Sequence, residues 1–167
     1  MNGGFYTKEN LPLGIFKAGN NILNLSAHTN ELFNGFVYKT KSNQLIISRV
    51  APVLENTEFA FQSGPLFSGE TKLNIISDEP ARRMLLGKTQ LDQFYILAIT
   101  ESLNTFSGPR LTDLPQIVNI YNQQSSTKHQ PLTTLINLDG GSASAFYNTQ
   151  GTSFKELTAI GSFICGK

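Results

Sequence analysis

Short apolar runs broken by Gly, Asn and Pro extend along most of the chain, a pattern of strands rather than helices. Ile15-Phe16 and residues 22–25 flank Gly19-Asn20-Asn21, whose residues tolerate positive φ, and predict a hairpin. Residues 35–38 and 45–50 predict two more strands around a Lys41-Ser42-Asn43 turn. At 57–61, Phe59 and Phe61 alternate onto one face, as in a half-buried strand. Residues 73–76 and 133–138 predict further short strands. The continuous apolar run at 94–100 reads as a central one. One segment changes period. Leu114, Ile117, Val118 and Tyr121 recur at i, i+3, i+4 and i+7, which is helical spacing. Thr112 or Asp113 can cap that helix, and Pro115 falls in its first turn, where no amide donor is missed. A polar loop follows at 123–131. With no internal repeat, the expected fold is one α+β domain, a strand-rich mixed sheet with few helices.

Composition narrows the classes of function. The 167 residues and 18.4 kDa suffice for one domain with a real core. Charged residues make up 15%, against about 25% in a typical soluble domain, and Asn, Ser, Thr and Gln fill the difference. The net charge of +1 argues against a broad surface that tracks nucleic-acid phosphates, and against a polybasic membrane anchor. A single cysteine, Cys165, excludes an internal disulfide framework and a thiolate zinc site. The longest apolar run, 94–99, is too short for a membrane span. No secretory signal stands ahead of Asn2-Gly3-Gly4, so the compartment stays open.

Four segments carry more Gly and small polar residues than turns require: Asn2-Gly3-Gly4-Phe5-Tyr6, Gln62-Ser63-Gly64-Pro65-Leu66, residues 83–87, and Asn137-Leu138-Asp139-Gly140-Gly141-Ser142. Each follows or opens an apolar strand, and strand ends offer side chains to a crevice. Asp139 is placed at the end of a buried strand, before two glycines that let the backbone approach a ligand closely. Ser142 can then begin a helical turn whose amides suit an anion. Asp-Gly after apolar residues is also the strongest short hairpin signal, and both readings stand open here. Arg82 and Arg83 border an apolar strand, where an arginine can grip a carboxylate or phosphate bidentately; a surface salt bridge is the plainer account. Other patterns fail. Gly64 to Gly69 has the spacing of a phosphate-binding loop, but Glu70 stands where its lysine belongs. Both histidines, His28 and His129, precede Ser142, in the wrong order for a nucleophile elbow. They read as surface residues. No metal-ligand spacing is visible, and no cofactor is called for.

The four segments, in this order, resemble the phosphodiester glycosidase family. Its pattern is an Asn-Gly-Gly-Phe start (Asn2 to Phe5), then Ser-Gly-Pro (Ser63 to Pro65), an arginine four residues before a glycine (Arg83 and Gly87), and a late Asn-Leu-Asp-Gly-Gly (Asn137 to Gly141). The helix from Leu114 also falls where the family has one. Two positions depart from it: Met84 follows the arginine where Thr is common, and Ser142 follows Gly141 without a further glycine. Family members carry a strand ahead of Asn-Gly-Gly-Phe, so residues 1–167 are expected to form such a domain without its N-terminal strand. The resemblance implies hydrolysis of the bond between a sugar's anomeric carbon and a phosphodiester oxygen. Arg83 then holds the departing phosphate, helped by amides near Gly140, Gly141 and Ser142. Asp139 stabilises a cationic sugar or orients water. Asn2, Gln62 and Ser63 bond sugar hydroxyls, and Gly3, Gly4 and Gly64 line the site. The implied partner is a sugar phosphodiester or glycopolymer, and the implied location is periplasmic, envelope or secreted. The rival expectations are a non-catalytic carbohydrate or cell-wall-polymer binding domain, or an inactive fragment.

Overall fold

A computed structural model describes residues 3–28, 30–124 and 130–166. The first half of the chain supplies β1 (Phe16–Ala18), β2 (Asn21–Asn24), β3 (Gly35–Thr40), β4 (Leu45–Ser48) and β5 (Thr57–Ser63). They form a five-stranded sheet in the order β2-β1-β5-β3-β4. Next come β6 (Leu66–Phe67), β7 (Arg83–Thr89), β8 (Phe94–Ile99), helix α1 (Leu114–Gln124) and β9 (Leu132–Leu138). These strands form a four-stranded sheet in the order β6-β9-β7-β8. A small pair, β10 (Phe146–Tyr147) and β11 (Ser153–Phe154), follows. Among the described residues the chain is strand-rich with one α-helix, as its pattern predicts, but the strands divide among separate sheets instead of one mixed sheet, and each of these strand pairs is antiparallel.

Strand periodicity decides what packs where. On β7, Met84 and Leu86 point one way and Leu85 the other; on β9, Ile136 and Leu138 oppose Leu135. The first set meets Val37 and Phe61 of the other sheet and closes the core between the sheets. Leu85 and Leu135 pack instead against Leu114 and Val118 of α1. The architecture is therefore three layers: sheet, sheet, helix. The far end of α1 is tied to β9 by a reciprocal pair, Asn122 Nδ2 to the Leu132 carbonyl at 3.0 Å and Leu132 N–H to Asn122 Oδ1 at 2.9 Å.

Several local expectations need correction. Residues 73–76 form no strand; the segment between β6 and β7 runs as coil. The apolar strand at 94–99 is an edge, not central, because among the described residues its second side meets no strand. The central positions belong to β7 and β9, each of which pairs on both sides. The helix cap is not supplied by Thr112 or Asp113. Asp113 accepts from Arg110 N–H, and the amides of Leu111 and Thr112 are taken by the distant Asp78, at 2.9 and 2.8 Å. Ser142 lies inside a single 3₁₀ turn, Gly141–Ala143, and Asp139-Gly140 makes no hairpin. Most of the polar loop after α1, with His129, lies outside the described residues.

Candidate active site

On β7 Arg83 shares the face of Leu85, and on β9 Asn137 shares that of Leu135; Asp139 continues the same alternation. The register pairs Met84 with Leu138 and Leu85 with Asn137. Continued one step, it sets Arg83 opposite Asp139. Leu111, in the 3₁₀ turn that leads into α1, borders this end of the sheet. A cleft of about 560 Å³ opens here, and its lining includes Arg83, Asn137, Asp139 and Gly140 together with Asn30 and Glu31.

Arg83 and Asp139 do not pair with each other. The Arg83 guanidinium turns to Asp78 (3.5 Å), and donates to the Pro109 carbonyl (2.9 Å) and the Glu79 carbonyl. Burial pushes the Asp78 carboxyl up, but hydrogen bonds from Thr112 and Leu111 and the Arg83 charge outweigh this and hold it below the usual range. Asp139 has no such support. Burial, only partly offset by the Gly140 amide, lifts its carboxyl from 3.8 to about 6. Tyr6, from the N-terminal segment, is raised by burial and further by the Asp139 charge.

The glycines around Asp139 have steric reasons. Gly141 has φ +62°, and a Cβ on Gly140 would meet the Arg82 carbonyl oxygen at 2.8 Å. At Gly64, which lines the cleft, a Cβ would fall 2.4 Å from the Leu32 carbonyl oxygen.

Of the other residues singled out in the sequence, Gly64, Gly140 and Gly141 join Arg83 and Asp139 in the cleft. Gln62 and Ser63 do not. Gln62 is buried, with its carboxamide engaged by the backbone of His28 and Phe33, so it supports the cleft wall from behind. Ser63 is buried and donates to the Asn137 carbonyl at 2.7 Å. Gly3 accepts from the Asp139 amide at 3.2 Å, and Gly4 packs beneath Gln62. The Gly141 amide, expected to bind an anion, is taken by the Arg82 carbonyl at 2.9 Å. Ser142 is exposed, its hydroxyl 3.3 Å from that of Thr158. Asn2 lies outside the described residues.

Asn137, Glu31 and Asp78 carried no role in the sequence reading. The period of two from Asp139 along β9 points to Asn137. Its Nδ2 donates to the Gly64 carbonyl at 3.0 Å, which leaves Oδ1 buried with no hydrogen-bond donor. For Glu31 and Asp78 no local signal exists, because loops bring them to the site. A second cavity of about 550 Å³ lies at the edge of the two sheets, lined by Phe16, Phe59, Phe61 and Phe94. It holds no carboxylate, and the ammonium of Lys17 beside it is engaged by the carbonyls of Leu54 and Thr57. Among the described residues no cluster of three His, Cys, Asp or Glu side chains could hold a metal ion, and no helix is long and apolar enough to cross a membrane.

Comparison with known proteins bears on the identity of this cleft. No curated protein and no solved structure matches the chain. A protein-family model described as phosphodiester glycosidase matches residues 1–164 of the 167. The match takes in every segment that builds the cleft, and on its extent the chain belongs to the phosphodiester glycosidase family.

Proposed function

We propose that the protein hydrolyses a sugar-1-phosphodiester, breaking the bond between the anomeric carbon and the phosphate oxygen. The electron pair of that bond leaves on the phosphate. Water adds to the anomeric carbon and loses one proton, and the products are a free sugar and a phosphate monoester. The observation that carries this reading is that Arg83 and the Asp139 carboxylate, not ion-paired with each other, line one cleft.

The chemistry suits these groups. A phosphate departs without strong protonation, so a pair of carboxylates at fixed separation is less necessary than for an ordinary glycoside. Arg83, braced at one edge by Asp78, is well placed to offset charge on the departing phosphate. Asp139 serves in its ionised form, stabilising a cationic sugar or orienting the attacking water. With its carboxyl near 6, that form fills in as pH rises through 6, so the rate should climb over the same range. Asn30, Glu31 and Asn137 offer acceptors and donors to sugar hydroxyls.

The test is release of reducing sugar from a panel of glycosyl 1-(methyl phosphate) diesters that differ in the sugar. The wild-type protein should turn over at least one. Asp139→Ala and Arg83→Ala should each lower kcat/KM by about two powers of ten or more. A fully active Asp139→Ala variant would remove the reading. One observation favours a binding module instead: two of the Arg83 nitrogens already have protein partners. Binding of the same diesters without release of sugar would establish that alternative.

A further inference from the structure

Arg82 is the largest side chain with no exposed surface among the described residues. No described carboxylate lies within ion-pair distance of it, and the charge of Glu156 reaches it only from farther off. A buried guanidinium without a counter-ion is costly unless other dipoles replace its hydration. Here they do. Nη1 donates to the Thr105 carbonyl at 3.3 Å, and Nη2 to the carbonyls of Lys155 (2.9 Å) and Ser144. The rings of Phe106 and Phe154 lie 5.3 and 5.9 Å from Cζ.

The Nε donor closes a circuit. Nε donates to Ser144 Oγ at 2.6 Å. That hydroxyl donates to the Gly141 carbonyl at 2.6 Å. The Gly141 amide returns to the carbonyl of Arg82 itself at 2.9 Å. One residue thus grips the Gly140-to-Ser144 turn at both ends, and the absence of a Cβ at Gly140 lets the backbone close down on it. Asp139 is the residue that enters this turn.

We propose that Arg82 is a positioning residue of the candidate site: through Ser144 and Gly141 it holds the turn that aims the Asp139 carboxyl into the cleft. The inference rests on the reading of Asp139 as the reacting carboxylate. A lysine cannot replace Arg82, because a single ammonium cannot reach acceptors spread around a planar fork.

The experiment compares Ser144→Ala and Arg82→Lys with a control, Phe106→Leu, which trims a ring beside the same guanidinium without touching the turn. Two quantities are read: turnover of the best diester, and the midpoint of the Asp139 carboxyl titration by ¹³C NMR. Of the other ionisable groups near Asp139, Glu31 and Arg83 line the same cleft, and Tyr6, which feels the Asp139 charge, stays neutral throughout that range because burial raises its hydroxyl above 10. A loosened turn should admit water to Asp139. The midpoint should then fall from about 6 towards 3.8 in Ser144→Ala and Arg82→Lys. In both, kcat should drop about 10- to 100-fold with KM changed by less than about 3-fold, as for a displaced catalytic group. Phe106→Leu should lower thermal stability and leave the midpoint in place. A folded Ser144→Ala protein with an unmoved midpoint overturns the proposal. So does a Phe106→Leu protein whose midpoint moves as far, since Arg82 would then be only structural. If Arg82→Lys does not fold, Ser144→Ala decides. If the wild-type protein cleaves no diester, the functional reading fails, while the midpoint still tests the positioning role.

Discussion

Asp139→Asn separates what the carboxylate does for the reaction from what it costs the fold. The carboxyl rises from 3.8 to about 6 because burial disfavours its ionised form. The native state therefore binds a proton more tightly than the unfolded chain. Between those two values stability falls as pH rises, and above about 6 the full penalty is present. The shift corresponds to a penalty of about 3 kcal/mol when the group is fully ionised, an upper figure because Asp139 is partly exposed. Asparagine has the same shape, carries no charge, and can still accept from the Gly140 amide. The variant should match the wild-type protein in stability at pH 4 and exceed it at pH 8, by about 1–3 kcal/mol after allowance for solvent screening. In a domain of this size that is a rise in Tm of about 3–10 °C. It should also lose activity, as stabilised active sites commonly do. Urea melts of both proteins at pH 4, 6 and 8 measure the difference directly. The Asp78 contribution is common to both and cancels. A difference that does not grow with pH, or a variant less stable at pH 8, would refute the account of Asp139 as a carboxylate held in an unfavourable site.

Three further outcomes are expected. Asp78→Ala removes the cap of the Leu111 and Thr112 amides and the partner of Arg83, and should cost about 2–4 kcal/mol in chemical denaturation at pH 7. Because the Asp78 carboxyl is held below the usual range, that difference should shrink as pH falls below about 4. Gly64→Ala drives a Cβ to 2.4 Å from the Leu32 carbonyl oxygen, and should lose about 2 kcal/mol or more and weaken diester binding by displacing the cleft wall. Met84→Ala opens a hole between the sheets and should cost about 2–5 kcal/mol in the same melts, with KM unchanged, because Met84 faces away from the cleft.

Much of this molecule was legible along the chain because its causes are local. The hairpin at Gly19 and Asn20, the turn at Asn43, the alternation at Phe59 and Phe61 and the three- and four-residue spacing of Leu114, Ile117, Val118 and Tyr121 each write their geometry into neighbouring residues. Ordered short segments such as Asn137 to Gly141 also signalled the family before any contact was known. What pairs with what was not legible. The run at 94–99 is apolar enough for a centre and ends at an edge, because hydrophobicity reports burial and not the number of neighbours. Asp78 caps the turn that leads into α1, 33 residues away, Gln62 is absorbed by a wall, and Arg82 and Arg83, adjacent where β7 begins, take different partners. A side chain's chemistry is carried by its own atoms, but its partners are set by strand register and loop closure, which only the folded chain decides.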